Sequence, residues 1–293
     1  MLGSDAYFSG FFARFGFSGC ARAGAGTVEP VPSERLVIRV ADPGDPRLAD
    51  YFGLTDPARR RRVEAEQGFF IAESPLVVRA LVESGRTVRS LLVTPAQHAV
   101  LADVLDRVEA PVFIAEDDVL RQVVGFDLHR GAVASAERWP LPAVSSLLDG
   151  ARRIAVVERL NDYENLGVLF RNAAAFGIDA VLLDLESADP LYRRCVRVSI
   201  GHAFMVPWTR VRSLDDVRSR GFALFALTPA ADAVPHGRIT WPERHAVLLG
   251  AEGPGLSRAW LDAADVRVRI PMRESVDSLN VATAAAIAFY AST

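Results

Sequence analysis

The stretch "LLGAEGPGLS", residues 248 to 257, passes from apolar residues into glycine and proline around one carboxylate, Glu252. Its apolar start belongs to "HAVLLG", a pattern typical of a buried strand, and a helical pattern opens at its end. Glycine permits unusual dihedral angles and close backbone approach, while proline stiffens the turn. Ligands of open α/β sheets gather beyond the carboxyl ends of strands, so the stretch predicts a backbone cradle for a flat or polar ligand. Taken alone, its composition favours an ordinary strand-to-helix turn.

The glycine spacing argues against two common nucleotide motifs. It reads G-x-x-G-x-G, and no Lys-Ser or Lys-Thr follows, as a phosphate loop requires. The stretch also lies far from a first strand-to-helix turn, where a dinucleotide fingerprint belongs. A dinucleotide-dependent oxidoreductase therefore stays a less favoured alternative.

The chain around this stretch alternates between two periodicities. Apolar runs typical of buried strands are "RIAVVE", "AVLLD", "FMVPW", "FALFAL", "HAVLLG" and "VRVRIP". Helical patterns between them cover 165–176, 189–204, 214–220, 256–264 and 276–291, with Gly177 as the stop of the first. This order predicts a parallel sheet with helices on both faces.

The first half of the chain has shorter runs of the same kind, such as "LVIRV" and "VRSLLVT", which predict a small α/β domain. Two prolines in "ERWPLPAVSSLLDGARR" indicate a linker that passes into a helix. Residues 1–33 are aromatic and glycine-rich without a basic start, so they predict a flexible extension and not a signal peptide. The predicted domains are 34–138 and 151–293, joined by a linker at 139–150.

Composition restricts the class of protein. With 293 residues and 50% hydrophobic content the chain can bury a large core. The net charge of −3 provides no global attraction for nucleic acid, so RNA binding requires local patches of arginine, the only strong cation present. Cys20 and Cys195 form neither a disulfide framework nor a metal cluster, and no apolar run approaches the roughly 20 residues of a membrane span. We expect a cytoplasmic protein without a metal ion.

Two further clusters carry polar residues at predicted helix starts. In "ERLNDYENLGVLFRNAAAFG", Asn165 is expected at the helix cap and Arg171 in the second turn. In "IPMRESVDSLNVATAAAIAFYA", Ser278 and Asn280 are expected in the first turns of an alanine-rich helix. Each cluster alone is explained by capping or by a solvated charge.

Together and in order, the three clusters resemble the motifs of the SpoU, or TrmH-like, branch of the SPOUT RNA 2'-O-ribose methyltransferases. The resemblance covers about residues 153 to 292 and includes "SADPLYRRCVRVSIGHAFMVPW". The family commonly has proline after the aspartate of the first motif, whereas Tyr163 follows Asp162 here. Upstream, "RRRRVEAEQGFFIAESPLVVRALVESG" resembles the small ribosomal-protein-like RNA-binding domain that often precedes the catalytic one.

The resemblance implies a C-terminal domain with a deep trefoil knot that binds S-adenosylmethionine and works as a homodimer. By motif position, the cofactor-binding residues are Leu249, Gly250, Ala251, Gly253, Ile270, Met272 and Leu279. The functional polar residues are Asn165, Arg171, Glu252, Ser278 and Asn280. The expected contacts to RNA are Arg59, Arg60, Arg61, Arg62, His129 and Arg130, although a solvated charged face explains the arginine run about as well.

The implied reaction transfers a methyl group from S-adenosylmethionine to a ribose 2'-hydroxyl. Arg171 matches the family's proposed base, but a guanidinium with a pKa above about 12 accepts protons poorly. We therefore expect Arg171 to bind the phosphate beside the target ribose and to stabilise negative charge on the 2'-oxygen. Asn165 and Asn280 are expected to position substrate or the arginine, and Glu252 to anchor the loop.

The substrate expected from the two-domain layout is ribosomal RNA, with transfer RNA as the other candidate. The alternative is an RNA-binding relative that kept the fold and lost the activity. The complete set of polar motif residues argues against that alternative.

Overall fold

The computed structural model describes residues 36–128, 130–273 and 275–293. The predicted extension at 1–33 lies outside them. The chain divides into two compact units, Met1–Trp139 and Pro140–Thr293. None of the helices in the described ranges is long and apolar enough to cross a bilayer.

In the described part of the first unit, five strands form a mixed sheet in the order β1-β4-β3-β5-β2, with β5 antiparallel to both of its neighbours. The strands are β1 (Val37–Arg39), β2 (Phe69–Glu73), β3 (Val88–Val93), β4 (Val112–Ile114) and β5 (Ala132–Glu137). The helices are α1 (Pro57–Glu66), α2 (Pro75–Glu83), α3 (Pro95–Val100), α4 (Ala102–Leu105) and α5 (Asp117–Val124), after a 3-10 helix at Pro46–Tyr51. Proline begins the 3-10 helix and three of the α-helices, where its missing N–H costs no hydrogen bond.

The turn after β2 contains a backbone conformation that serine rarely adopts. Ser74 has φ 96° and ψ 150°, a region occupied almost only by glycine. Its N–H donates to Ala132 O at 2.9 Å, but its side chain makes no capping hydrogen bond to α2. The backbone hydrogen bond to Ala132 therefore maintains the strained conformation of Ser74.

In the second unit, the described strands form a seven-stranded sheet in the order β10-β12-β9-β11-β6-β7-β8, and all neighbouring pairs are parallel. The strands are β6 (Arg153–Glu158), β7 (Ala180–Leu183), β8 (Trp208–Arg210), β9 (Ala223–Leu227), β10 (Val234–Pro235), β11 (His245–Gly250) and β12 (Val266–Arg269). The helices are α6 (Val144–Leu148), α7 (Tyr163–Phe176), α8 (Arg193–Val198), α9 (His202–Met205), α10 (Asp215–Arg218), α11 (Arg258–Ala263) and α12 (Val281–Ala291). The predicted parallel sheet is confirmed.

The central strands of this sheet bring distant parts of the sequence together at their carboxyl ends. β11 lies between β6 and β9, and its last residue, Gly250, pairs in register with Glu158, the last residue of β6. Ile154, Val156 and Leu248 from these two strands are fully buried in one core cluster. The glycine-rich stretch and the cluster that starts at Glu158 therefore leave the sheet side by side.

Two predicted elements around residues 189–208 are wrong. The predicted helix 189–204 is two short helices, α8 and α9, because Ile200 and Gly201 adopt left-handed conformations with φ 53° and 83°. The predicted strand "FMVPW" is also wrong, since Phe204 and Met205 belong to α9 and β8 begins at Trp208. The left-handed pair allows the chain to turn without a long loop.

Candidate functional site

The segment 250–257, called the glycine loop below, closes on itself directly after β11. Gly255 N donates to Ala251 O at 3.0 Å, and Gly253 and Gly255 have φ values of 84° and 64°, which favour glycine. A Cβ atom on Gly250 would lie 2.2 Å from Gly255 C and Leu256 N. Gly250 is therefore required by the backbone of its own loop, in addition to lining the pocket described below.

Asn280 joins the three sequence clusters. Its Oδ1 accepts from Ala282 N at 3.0 Å and Thr283 N at 3.2 Å, which caps α12. Because the oxygen is used by the helix, the amide nitrogen points the other way, and it donates to Asn165 Oδ1 at 2.7 Å and Glu252 Oε1 at 2.8 Å. Three residues separated by up to 115 positions thus form one hydrogen-bonded cluster.

The start of α12 differs from the prediction. The helix begins at Val281, so Asn280 is its cap and Ser278 precedes it. The expectation that both lie in the first turns is wrong. Ser278 is exposed and lines the same pocket as Glu252 and Asn280.

The start of α7 also differs. Asp162 is the cap, since its Oδ1 accepts from Asn165 N at 2.7 Å, and Asn165 is the third residue of the helix. The prediction that Asn165 caps the helix is therefore wrong. The carboxylate of Asp162 binds the backbone N–H of Asn165 and fixes the first turn. The side chain of Asn165 therefore remains available to accept from Asn280. Gly177 ends α7 with φ 65°, as predicted.

Arg171 lies in the third turn of α7, one turn later than predicted, and is exposed. Its positive charge is close enough to act on His202 of α9, whose pKa is lowered to about 4 by burial and, to a smaller extent, by Arg171. His202 is therefore neutral near pH 7. No spacing in the sequence pointed to His202, because the pairing depends on how α9 packs on α7.

A pocket of about 390 Å³ lies beside the hydrogen-bonded cluster. All seven residues predicted to bind a cofactor line it, together with Glu252, Ser278 and Asn280. Asn165 and Arg171 are not part of its lining, and Asn165 reaches the pocket edge through Asn280. The remaining lining residues were not predicted from the sequence, and most come from the end of β9 and from β12 and α12: Leu227, Thr228, Pro229, Gly255, Val268, Val281 and Ala284. The position of β9 beside β11 in the sheet explains why its end reaches the pocket, and that order is not readable from local patterns.

The residues expected to contact RNA belong to the first unit. Arg62 on α1 and Arg130 before β5 are exposed. His129 and the side chains of Arg59, Arg60 and Arg61 lie outside what the structure describes. Across the described ranges, no group of three or more His, Cys, Asp or Glu side chains is arranged to hold a metal ion.

Comparisons with known proteins give consistent matches. The model of the SpoU rRNA Methylase family matches residues 152–290. An uncharacterized tRNA/rRNA methyltransferase of Mycobacterium tuberculosis is 47% identical over 264 residues, which span 86% of this chain and 90% of the relative. The 23S rRNA (guanosine-2'-O-)-methyltransferase RlmB of Ralstonia nicotianae is 32% identical over 184 residues, 60% of this chain and 74% of the relative.

Two solved structures are similar over most of their length. The crystal structure of an AdoMet-bound rRNA methyltransferase from Sinorhizobium meliloti aligns with a TM-score of 0.74 and 26% identity, covering 88% of this chain and 97% of that one. The SpoU methyltransferase AviRb from Streptomyces viridochromogenes aligns with a TM-score of 0.72, covering 84% and 96%, and at 24% identity it supports the fold alone.

Proposed function

Because the chain belongs to the SpoU rRNA methylase family, we propose that it transfers a methyl group from S-adenosylmethionine to a ribose 2'-hydroxyl of RNA. The observation that carries this proposal is the cluster of Asn165, Glu252 and Asn280 at the edge of a pocket lined by the glycine loop. Family membership also removes the reason to consider a dinucleotide-dependent oxidoreductase.

The pocket fits S-adenosylmethionine in size and chemistry. Its volume lies in the range typical of sites for small ligands. Apolar side chains such as Leu249 and Ile270 offer surfaces for an adenine ring, and the glycine loop exposes main-chain groups for the polar parts. When bound, this cofactor supplies a methyl group already activated by a positively charged sulfur.

The residues of the chain then have to orient the 2'-hydroxyl and stabilise its developing charge. The hydrogen bonds of the Asn280 amide are all used by the helix start, Asn165 and Glu252, so its part is to hold the Asn165 and Glu252 side chains in place beside the pocket. Arg171 is exposed on the same helix as Asn165, where its guanidinium is available for the phosphate next to the target ribose. There it would act by charge and geometry, while the proton of the 2'-hydroxyl leaves to water as the methyl group is transferred.

Ribosomal RNA is the substrate that we propose. A relative that aligns with most of its own length is named for methylation of 23S rRNA, and the solved structure with the higher identity is that of an rRNA methyltransferase. Within this proposal, 34–138 is the RNA-recognition domain with Arg62 and Arg130 as contacts, 139–150 the linker and 151–293 the catalytic domain. An enzyme acting on this RNA works in the cytoplasm.

We propose in addition that the catalytic domain forms the trefoil knot of its family and pairs as a homodimer. The knot is proposed from membership of the family, and the alignment with the Sinorhizobium meliloti rRNA methyltransferase at a TM-score of 0.74 is consistent with a shared fold. For the dimer, the packed helices α7 and α12 leave apolar side chains in solvent: Val168 is exposed, and Tyr290 is 69% exposed. A second copy that packs on these two helices would cover both side chains.

The test starts with calorimetric titration of the purified protein with S-adenosylmethionine, with NADH as the control. We expect micromolar binding of S-adenosylmethionine alone, followed by transfer of labelled methyl groups to ribosomal RNA from a strain that lacks the gene. RNase digestion would then locate the label on a 2'-O-methylated nucleotide. Binding of RNA without methyl transfer would contradict the proposal and identify an inactive relative.

A further inference from the structure

Glu158, the last residue of β6, is a buried carboxylate that is not among the predicted site residues. It is 6% exposed, and its Oε2 accepts from Ser257 N at 2.6 Å. Ser257 caps α11, since its Oγ accepts from Trp260 N at 3.3 Å. Glu158 therefore fixes the point where the glycine loop ends and α11 begins.

The residue after Glu158 has a strained backbone. Arg159 has φ 55°, a left-handed conformation that non-glycine residues adopt only where neighbours enforce it. Its N–H donates to Asp184 Oδ2 at 3.0 Å, and Leu160 N donates to Ser187 Oγ at 3.1 Å. Ala188 N in turn donates to Leu160 O at 2.9 Å. The turn is thus held by the loop that follows β7.

Arg210, at the end of β8, holds the loop that follows β7. The Arg210 guanidinium donates to Asp184 O and Ser187 O, each at 2.7 Å, and to Ala188 O at 3.0 Å. Burial lowers the pKa of Arg210. The hydrogen bonds from its guanidinium to backbone carbonyls replace those that it would make to water. A chain of contacts therefore runs from β8 through the 184–188 loop to the turn at Arg159.

This arrangement makes Glu158 the junction between two parts of the polar cluster. Through Ser257, its side chain holds the glycine loop that carries Glu252. Through the turn at Arg159, its backbone leads to Asp162, the cap of α7, and so to Asn165. Asn280 can contact Asn165 and Glu252 at 2.7 and 2.8 Å only when both parts keep their relative position.

We propose that Glu158 is a positioning residue for the reaction: the hydrogen bond that it accepts from Ser257 sets the glycine loop against the start of α7. The proposal rests on the proposed function in so far as this polar cluster serves methyl transfer. The Glu158 carboxylate contacts the loop backbone at Ser257 and lies 3.9 Å from the Arg159 guanidinium, and it acts through the loop. Its effect on catalysis is therefore indirect and depends on a hydrogen-bond acceptor at this place.

The experiment compares Glu158→Leu, which removes the acceptor, with Glu158→Gln, which retains an acceptor oxygen without the charge. Glu186→Gln is the matched control, because Glu186 is an exposed carboxylate on the neighbouring 184–188 loop. For Glu158→Leu we expect the Kd for S-adenosylmethionine to rise about tenfold to a hundredfold. The kcat at saturating cofactor should fall as well, because Glu252 no longer meets Asn280.

Glu158→Gln should stay within about threefold of wild type, since the hydrogen bond to Ser257 is rescued. A purely stabilising role would shift the unfolding midpoint of Glu158→Leu and leave Kd and kcat unchanged well below that temperature. That pattern, or a Glu158→Gln protein as impaired as Glu158→Leu, would overturn the proposal.

A second measurement separates this inference from the proposed function. Hydrogen exchange of the peptide 250–257 in the ligand-free protein should be faster in Glu158→Leu than in wild type, and unchanged in Glu186→Gln. If wild type bound no S-adenosylmethionine, the proposed function would fail, while the exchange rates would still decide whether Glu158 fixes the loop. Equal exchange in all variants would refute the role of Glu158 directly.

Discussion

Two strand ends in this molecule share a local pattern, and they differ in what holds them. After β2, buried Glu73 is followed by Ser74 at φ 96°; after β6, buried Glu158 is followed by Arg159 at φ 55°. The turn at Ser74 is held by backbone pairing with Ala132, whereas the turn at Arg159 is held by the side chains of Asp184 and Ser187. Strain at the first turn is therefore held by the pairing of β2 with β5, and strain at the second belongs to a network of side chains that reaches the candidate site.

The largest effect is expected at Gly250, the first residue of the glycine loop. In Gly250→Ala the added Cβ would lie 2.2 Å from backbone atoms of Gly255 and Leu256, so the loop has to move. We expect the affinity for S-adenosylmethionine to fall more than about a hundredfold and the free energy of unfolding to fall by about 3 kcal/mol. Calorimetry and urea unfolding measure the two quantities. Gly237→Ala is the control, because its Cβ would meet nothing within 4 Å, and equal results for both variants would contradict the role of the loop.

Asn280→Asp tests the chemistry of the cluster with less disturbance of the fold. An aspartate can still accept the N–H groups of Ala282 and Thr283, so the cap of α12 is retained. It cannot donate to Asn165 or Glu252, and it places a second carboxylate beside Glu252. We expect the rate of methyl transfer to fall about a hundredfold, while the unfolding midpoint changes little. An active Asn280→Asp enzyme would separate the cluster from catalysis.

A pH effect of intermediate size is expected in the second unit. The pKa of His202 is about 4 in the folded protein, below its usual 6.5, so the neutral form is favoured by folding. This stabilisation is present above pH 6.5 and is lost as the pH falls from 6.5 towards 4, by up to about 3 kcal/mol. Urea unfolding at a series of pH values measures the slope. His202→Gln, which does not titrate, should have a flatter profile, and an unchanged slope would show that other groups are responsible.

The smallest effect sharpens the comparison of the two turns directly. Ser74→Gly removes strain without loss of a capping bond, so we expect the free energy of unfolding to rise by about 1 kcal/mol, with cofactor affinity unchanged. Arg159→Gly also removes strain, but it loosens a turn that leads to α7, so methyl transfer should fall severalfold. If both variants gained stability and kept activity, the distinction between the two turns would disappear.

Much of the sheet was predictable because buried parallel strands have continuous apolar runs, as "RIAVVE" and "HAVLLG" do. Helix starts were less predictable. The polar stretch before Asn280 is compatible with a helix, and only the hydrogen bonds from Ala282 and Thr283 to the Asn280 side chain fix the start. In the same way, Asp162 takes the cap that the sequence suggested for Asn165.

The site was predicted by resemblance to a family and not by local pattern. No periodicity relates Asn165 to Glu252 or Asn280, because their contact depends on the order of strands in the sheet. Glu158 and Arg210 were missed for a related reason: their partners are backbone groups of loops distant in sequence. Such partners depend on tertiary structure, which one sequence does not reveal.

The double use of the Asn280 side chain couples secondary structure to chemistry. Its oxygen starts α12 and its nitrogen joins the polar cluster, so the first helical turn and the cluster assemble in one cooperative step. A molecule with a frayed first turn has no oriented amide at the pocket, and a molecule with an oriented amide has a formed turn. A change that loosened the first turn of α12 would therefore also release the amide from the pocket, without touching the substrate.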